Sequence, residues 1–360
     1  MSALSLYGQS EEDKEQAYKL AKEAIRLMDE EGNFDKSIEL LEKSKKLDPN
    51  NLTYSYEIAY AHYNLKDYKK AIKILEKLKN RKDVTEVVFQ LLGNSYDILG
   101  DPEKAIETYS NGLKIFENSG SLYLELGIVN FFKENYNEAI QCWENGIIVE
   151  PEFPSNYYWL AKIFSNTNEK IWALFYGEIF MNLERGSKRT EEISNKLFSV
   201  FQECYISKSD TSGEFQLTEK GFQITINSKK DLKNIAKGKD FLPFEGVFAS
   251  DFAIAGAFAY EDGTTSINEI FNIRSSIINL WFNEKKHCKN FSNILMDYQK
   301  TIYDKGYLEP YTYWLLMKGN EKEFEDWYNK NEENFKLFIT WYQNNPLRIT
   351  KKDKYARIQY

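Results

Sequence analysis

Histidine and cysteine are the residues whose spacing most often reveals catalytic or metal chemistry, and both are scarce in this sequence. There are two histidines and three cysteines among 360 residues. Cys142, Cys204 and Cys288 are far apart, match no zinc-site spacing, and cannot all pair because their number is odd. His287 precedes Cys288, but neighbouring side chains on a helix point about 100° apart, which disfavours a Cys–His nucleophile. We therefore interpret the cysteines as free thiols and predict no metal ion and no cofactor.

Other chemical signatures are also missing from the sequence. It contains no glycine-rich phosphate loop, no H-E-x-x-H, no G-x-S-x-G and no EF-hand loop. Adjacent carboxylates, such as Glu332 and Glu333, are typical of solvated helix surfaces. We therefore expect a protein that is not an enzyme. The alternative is an enzyme whose active site lies within residues 207–360 and whose first half recruits the substrate.

Composition excludes two classes of partner. The formal net charge is -8, and a chain this acidic is repelled by phosphate backbones, so nucleic acid is not expected to bind. No apolar run approaches the ~18 residues that a membrane span needs. Residues 1–10 are mildly apolar and resemble the tail of a truncated signal peptide, which would favour an exported, periplasmic protein. Otherwise they are a frayed terminus of a cytoplasmic one.

The strongest pattern in the sequence is a 34-residue period over residues 18–187. Five frames follow one another without a gap: 18–51, 52–85, 86–119, 120–153 and 154–187. Small residues fill positions 8 and 20 of the third and fourth frames: Gly93, Ala105, Gly127 and Ala139. Small side chains there allow two helices to approach closely, while large residues at positions 4, 7, 11 and 24 fill the surrounding space.

This pattern resembles the tetratricopeptide repeat (TPR), whose consensus reads W-x2-L-G-x2-Y…A-x3-F…P. The fourth frame matches it best: Tyr123, Leu126, Gly127, Ala139, Trp143 and Pro151. The resemblance implies that each frame is a helix-turn-helix hairpin and that five hairpins stack into a superhelical α-solenoid. The first helix of each repeat would line its concave face. A capping helix within residues 188–206, with Thr190 as its N-cap, would end the array.

The resemblance also implies where a partner would bind. In TPR families, concave-face contacts usually come from positions 2, 5, 9, 12 and 13, which here are rich in aromatic and amide side chains. Tyr56, Tyr60 and Tyr63 are spaced to form one stripe on one helix. An aromatic and amide lining suits an extended or helical segment of a protein or peptide partner. The predicted groove residues are Tyr56, Tyr60, Tyr63, Asn64, Asn94, Leu124, Phe131 and Lys162.

One well-known TPR class, the co-chaperones, grips a C-terminal carboxylate with lysine, asparagine and arginine at fixed positions. Lys22 matches the first of these positions. Arg26 and Glu57 stand in place of the two asparagines, and Val87 and Leu91 in place of the last lysine and arginine. The clamp for a chaperone tail is therefore absent, and we do not expect that ligand.

The second half, residues 207–360, shows no family pattern. Residues 207–213 are predicted to be a small-polar linker, and residues 214–227 a β-hairpin with glycine in its turn. The remaining pattern predicts helices at 244–260, 265–286, 289–303, 308–317 and 321–341, the last of which breaks near Asn331. The basic tail that begins at Arg348 is predicted to be a solvated terminus.

Together these patterns predict an all-α protein in two parts. The segment 1–17 precedes the repeats of residues 18–187, the capping helix lies within 188–206, and a mainly helical domain with one hairpin follows at 207–360. The predicted function is a non-catalytic scaffold or adaptor that holds a polypeptide in the groove of the repeats.

Overall fold

The computed structural model describes residues 10–209, 212–218, 242–257 and 265–360. The chain divides into two compact units, the first ending at Cys142 and the second beginning at Trp143. Helices dominate the described residues, which confirms the predicted all-α class. Residues 1–9, which carry most of the predicted signal tail, lie outside the described residues.

The first unit is a series of paired helices that follow the 34-residue period. Helices α3, α5 and α7 begin at Leu52, Glu86 and Gly120, the first residues of the second, third and fourth frames. The helices of this unit are α1 (Glu11–Glu31), α2 (Phe34–Leu47), α3 (Leu52–Asn64), α4 (Tyr68–Leu78), α5 (Glu86–Ile98), α6 (Pro102–Leu113), α7 (Gly120–Phe132) and the start of α8 (Tyr136–Val149). Within the first four repeats, every first helix is joined to its second helix by a turn of two or three residues.

The turns between paired helices share one backbone conformation. A residue with positive φ stands at position 15 of the first four frames: Gly32, Lys66, Gly100 and Glu134. This left-handed residue ends the first helix. The residue that follows is the N-cap of the second helix. At Asp67 and Asp101 its side chain accepts a hydrogen bond from the backbone N–H three residues later. The repeated turn keeps every hairpin in the same register.

Close packing inside each hairpin depends on the small residues of the pattern. Ala59 and Ala71 are fully buried in a cluster with Leu75 and Leu92. A β-carbon at Gly93 would lie 2.2 Å from Cε1 of the Tyr109 ring, so only glycine fits there as the structure stands. The position-8 glycine of the third repeat therefore lies against the large residue at position 24 of the same hairpin.

The second unit continues with helices and one short hairpin. Its elements are α9 (Pro154–Ser165), α10 (Lys170–Leu183), α11 (Lys188–Glu203), β1 (Tyr205–Ser209), β2 (Ser212–Phe215), α12 (Phe244–Ala257), α13 (Ile267–Asn279), α14 (Ile294–Asp304), α15 (Leu308–Leu316) and α16 (Glu321–Asn344). A π-helical turn at Leu280–Glu284 and 3-10 turns at His287–Lys289 and Arg357–Gln359 complete them. Helix α10 is buried along nearly its whole length and contacts α12, while α11 contacts α15.

The helices of the second half agree with the sequence pattern. Four of the five predicted helices begin within two residues of the observed start, and the fifth, expected from residue 289, begins at Ile294. Asn331 has φ of -127° and ψ of 20°, so α16 breaks where its sequence predicted a break. Gly306 takes φ of 75° directly after α14, in the C-terminal role expected of glycine.

Three local predictions are wrong. The N-cap of α11 is Ser187, whose hydroxyl accepts a hydrogen bond from the N–H of Thr190, and Thr190 itself is buried in the helix. The predicted linker 207–213 instead supplies parts of β1 and β2, which pair antiparallel from Tyr205 opposite Phe215. Of the predicted hairpin 214–227, the described residues 216–218 form no strand, and residues 219–227 lie outside the described residues.

The basic tail is also not the solvated terminus that was predicted. Tyr355 and Ala356 are fully buried, and the Tyr355 hydroxyl donates to the carbonyl of Ile147 at 3.0 Å. The Arg357 guanidinium forms two hydrogen bonds with the Glu144 carboxylate, at 2.9 and 3.0 Å. Three lysines and two arginines make the tail basic, but its apolar and aromatic residues decide its packing.

Candidate functional site

The candidate site is the face formed by the first helices of repeats two to four, which we call the first-helix face. Helix α3 contacts α5, and α5 contacts α7, so the face is continuous across the three repeats. Its side chains come from positions 2, 5, 6, 9, 12 and 13 of each frame. All of them lie in the first compact unit.

The tyrosine stripe on α3 is partly exposed. The rings of Tyr56 and Tyr60 stack with their centroids 6.5 Å apart, and Tyr60 is 36% exposed. Tyr56 is half-buried against the core of the second hairpin, and burial raises the pKa of its hydroxyl to about 12. Tyr63 lies edge-on to Tyr68 of α4, with ring centroids 5.3 Å apart. The stripe is therefore anchored at both ends and presents Tyr60 outward.

A polar network lies beside the stripe, where α5 meets α7. Gln90 donates a hydrogen bond to Oε1 of Glu125 at 2.9 Å, and the Asn94 amide also bonds to the Glu125 carboxylate. The Tyr109 hydroxyl donates to the amide oxygen of Asn94. Burial raises the pKa of Glu125 above its ordinary value, and the nearby negative charge of Asp97 raises it further. Asn94 therefore lies on the first-helix face, but its amide is already hydrogen-bonded to Tyr109 and Glu125.

Aromatic side chains also gather at the end of α7. Phe131 is half-buried and packs edge-on against Phe132 and Tyr136, with ring centroids 5.6 and 5.5 Å apart. Phe132 is 71% exposed and Tyr136 is also exposed. Leu124, nearer the start of α7, is half-buried. Of these residues, only Leu124 and Phe131 were predicted as groove residues.

Two other predicted site residues have local partners. The Asn64 side chain is exposed and donates to the backbone carbonyl of Tyr60, one turn earlier in α3. Lys162 belongs to the second unit, where its ammonium forms an ion pair with Glu192 at 3.0 Å and donates to the Tyr158 hydroxyl. It also lies 4.7 Å from the centroid of the Tyr158 ring. The polar contacts of Lys162 are thus made within its own unit.

Sequence reasoning did not include Glu125 and Phe132 among the predicted groove residues. Glu125 occupies position 6, which lies beside positions 5 and 9 on a helix surface because residues three or four apart share a face. Phe132 occupies position 13, as do Ile98 and Asn64 in the preceding frames. Position 13 is one of the expected concave-face positions, so the same rule that placed Phe131 on the face also places Phe132 there.

The second unit has a buried polar network, which bears on the enzyme alternative. Arg274 of α13 makes two hydrogen bonds to the Glu178 carboxylate of α10, at 2.7 and 2.8 Å. Gln299 and Tyr311 donate to the same carboxylate at 2.9 and 2.8 Å. The adjoining cavity measures about 30 Å³, enough for a water molecule but not for an organic substrate. These titratable groups converge in the interior and not in a concave site.

A second buried polar cluster lies around Asp251 of α12. Its carboxylate is fully buried, pairs with the Lys285 ammonium at 2.7 Å and lies 3.5 Å from Nε2 of His287. Cys288, next to His287, is half-buried. Burial raises the pKa of the Cys142 and Cys204 thiols to about 12, which leaves both unreactive at neutral pH.

The described residues offer neither a cluster of metal ligands nor a membrane-spanning helix. They contain no group of three or more histidine, cysteine or acidic side chains placed to hold a metal ion. None of their helices combines the length and the apolar character needed to cross a bilayer.

The period, the repeated turns and the first-helix face together define a repeat protein built from helical hairpins. Comparison with known families identifies the hairpins: two tetratricopeptide-repeat profiles match the sequence, one over residues 30–94 and the other over residues 88–119. Residues 30–119 are therefore tetratricopeptide repeats, as the sequence pattern predicted. Repeats of this family are typical of scaffolds that bind other proteins.

Several solved structures resemble part of the chain. MamA from Desulfovibrio magneticus RS-1 is 17% identical, with 50% of this chain and 99% of that one covered at a TM-score of 0.39. PilF from Pseudomonas aeruginosa is 16% identical, covering 53% of this chain and 87% of that one at a TM-score of 0.46. A thermophilic TPR protein from Thermus thermophilus is 16% identical, covering 51% and 98% at a TM-score of 0.41. With TM-scores this low, the likenesses carry no argument about function.

Proposed function

We propose that this protein is a non-catalytic scaffold that binds a polypeptide segment across the first-helix face. The observation that carries the proposal is a line of exposed apolar side chains at the ends of three successive first helices. They occupy position 13 or 14 of each frame: Leu65, Ile98, Leu99 and Phe132. Ile98 and Phe132, at position 13, belong to the first-helix face, and Leu65 and Leu99 border it. Large apolar residues exposed singly are common, but a set that recurs with the repeat favours a binding surface.

The polar groups of the face support a polypeptide partner and not a small molecule. Tyr60 offers a ring and a hydroxyl at low cost in side-chain entropy, and Gln90 offers amide groups that can bond a peptide backbone. The face extends over three helices that are open to solvent, whereas small-molecule sites enclose most of their ligand. A segment of a partner protein is the ligand that fits an open, amphipathic strip of this kind.

Site-specific photocrosslinking in the native cells tests this proposal. A photoreactive phenylalanine analogue at Tyr60 should yield discrete protein adducts, which mass spectrometry can identify. The matched control carries the same analogue at Ile115, which is 56% exposed and lies just beyond the end of the second helix α6, outside the first-helix face. Equal adducts at both positions, or adducts at Ile115 alone, would contradict the proposed face. Adducts at Tyr60 that disappear when Phe132 is changed to alanine would support it.

A further inference from the structure

We infer that the partner segment carries a lysine or arginine among apolar residues, and that this cation is received between the carboxylates of the first-helix face. The inference rests on the proposed function, since it specifies the chemistry of the ligand of the same face. It goes beyond that function by predicting which segments the face accepts and which it rejects.

The charged side chains of the first-helix face are all acidic. Positions 2, 5, 6, 9, 12 and 13 of the second, third and fourth frames hold three carboxylates, Glu57, Asp97 and Glu125, and neither lysine nor arginine. The chain as a whole is rich in cations, with 47 lysines and arginines, so their absence from the face is a property of that surface. A surface of one sign attracts a ligand of the opposite sign and rejects one of the same sign.

These carboxylates are not used for ion pairs within the described parts of the chain. Elsewhere in the first unit, carboxylates pair with neighbouring lysines, as Asp67 does with Lys70 at 2.8 Å and Glu76 with Lys79 at 2.6 Å. Among the described residues, Glu57, Asp97 and Glu125 form no such pair, and the amides of Gln90 and Asn94 are the partners of Glu125. Partial burial raises the pKa of all three carboxyl groups.

A cation from a partner would offset the free-energy cost of burying these carboxylates. A partly buried carboxylate lacks some of the hydration that an exposed one has, so its charge is stabilised strongly by a positive group brought close to it. The aromatic rings complete the site, because lysine and arginine pack their methylene stems on apolar surface and their charges against ring faces. Burial raises the pKa of the Tyr63 hydroxyl, and the charges of Glu125 and Asp97 raise it further, so this ring lies near both carboxylates.

Exposed apolar residues on the same three helices define the rest of the segment. Tyr60 is exposed on α3, and Ile98 and Phe132 are exposed at the ends of α5 and α7. A segment that places apolar side chains on these residues brings its central cation to Glu125 and Asp97. The expected ligand is therefore a basic amphipathic segment, and an acidic segment is rejected by repulsion.

The test uses the full chain and selection from a display library of random peptides of about twelve residues, long enough to cross three repeats. Selected peptides are expected to be enriched in lysine or arginine next to aromatic or aliphatic residues. A synthetic peptide of the enriched sequence should bind at least about tenfold more weakly to the Glu125→Gln variant, and its affinity should fall as salt is raised. The matched control is Glu107→Gln on α6, an exposed second-helix carboxylate, which should bind like the original protein.

One further variant and one measurement separate the outcomes. Asp97→Asn should weaken the same peptide, and thermal unfolding will show whether any variant has lost its fold. Peptides without a cation that bind, and lose affinity in Tyr60→Ala, would overturn the inference but leave the proposed function standing. Binding unaffected by Tyr60→Ala and by Glu125→Gln would overturn both. Self-association of the protein that Tyr60→Ala abolishes would assign the face to a second copy and overturn the inference.

Discussion

Glu178 in the second unit and Glu125 in the first are both removed from full contact with water, yet they are held in opposite ways. Glu178 receives two hydrogen bonds from Arg274 and one each from Gln299 and Tyr311. Glu125 receives hydrogen bonds from two amides and has no cation among the described residues. One carboxylate is satisfied by its own chain, and the other is satisfied only in part.

We propose that this difference separates a structural group from a binding group. A buried charge that is paired and fully hydrogen-bonded fixes the helices that supply its partners, here α10, α13, α14 and α15. A partly buried charge without a counterion adds nothing to folding and costs some free energy at neutral pH. Such a cost is characteristic of sites where a ligand supplies the missing interaction. The predictions below test this contrast.

The largest effect is expected from Arg274→Ala. The substitution leaves the Glu178 carboxylate buried without its cation, which should reduce the free energy of unfolding by about 3–5 kcal/mol. Chemical denaturation followed by circular dichroism measures the loss. Tyr311→Phe removes a hydroxyl that donates to Glu178 and accepts from Asn182, but it keeps the ring and the ion pair, so it should cost less, about 1–3 kcal/mol. Equal losses in the two variants would show that the ion pair is not the centre of this network.

The hairpin packing of the first unit gives the next largest effect. In Gly93→Leu the new side chain must displace the Tyr109 ring, because even a β-carbon would lie 2.2 Å from it. Overpacking of this kind costs about 1–3 kcal/mol. The control is Glu107→Leu on the exposed side of α6, which introduces the same side chain where there is space. A Gly93→Leu protein as stable as this control would contradict the close approach within the third hairpin.

An intermediate case is Glu144, which is buried and pairs with the partly exposed Arg357 of the tail. Arg357→Gln should cost about 1–3 kcal/mol, because one hydrogen bond can be replaced but the charge of Glu144 is left unpaired. Release of the tail should also make the bond after Lys354 accessible to trypsin. Lys351→Gln, at an exposed position, serves as the control. A tail that stays protected would show that Tyr355 and Ala356 hold it without the ion pair.

How far the sequence predicted the structure depends on whether a pattern was local. The repeat frames predicted the starts of α3, α5 and α7 because small residues and turns recur at fixed spacing, and the turn residues Lys66 and Glu134 repeat the backbone of Gly100. The break of α16 at Asn331 was also predicted, because it too is visible in the local sequence. The docking of the tail was missed because Glu144 and Arg357 are 213 residues apart, and no local pattern reports such a pair.

For the candidate site, the sequence predicted which helices carry the side chains but not which partners those side chains bond. Position rules placed Tyr60, Leu124 and Phe131 on the first helices. They could not show that Asn94 is bonded to Tyr109, or that Lys162 is paired with Glu192, since both depend on which helices meet. The role of Glu125 depends on partial burial and on the absence of a nearby cation, which are properties of the folded chain.

The smallest effect on stability, and the one that separates the two kinds of carboxylate, is expected from Glu125→Gln. Because burial raises the folded-state pKa of Glu125, the folded protein binds the proton more tightly than the unfolded chain does. As the pH falls through the folded pKa toward the unfolded value, the free energy of unfolding should therefore rise by the contribution of this group. Below the unfolded value that contribution no longer changes. The glutamine variant lacks it, and at neutral pH it should be as stable as the original protein or slightly more stable.

The measurement is the difference in free energy of unfolding between the two proteins from pH 7 to about pH 4, the range in which a carboxyl group of raised pKa titrates. The difference should be near zero or favour the variant at pH 7, and it should shift toward the original protein as the pH falls. If the variant's free energy of unfolding is lower by more than about 1 kcal/mol at pH 7, Glu125 stabilises the packing of its helices, as Glu178 does. A stable variant that also loses the basic peptide would instead mean that the chain keeps an unpaired charge on this face for the sake of its partner.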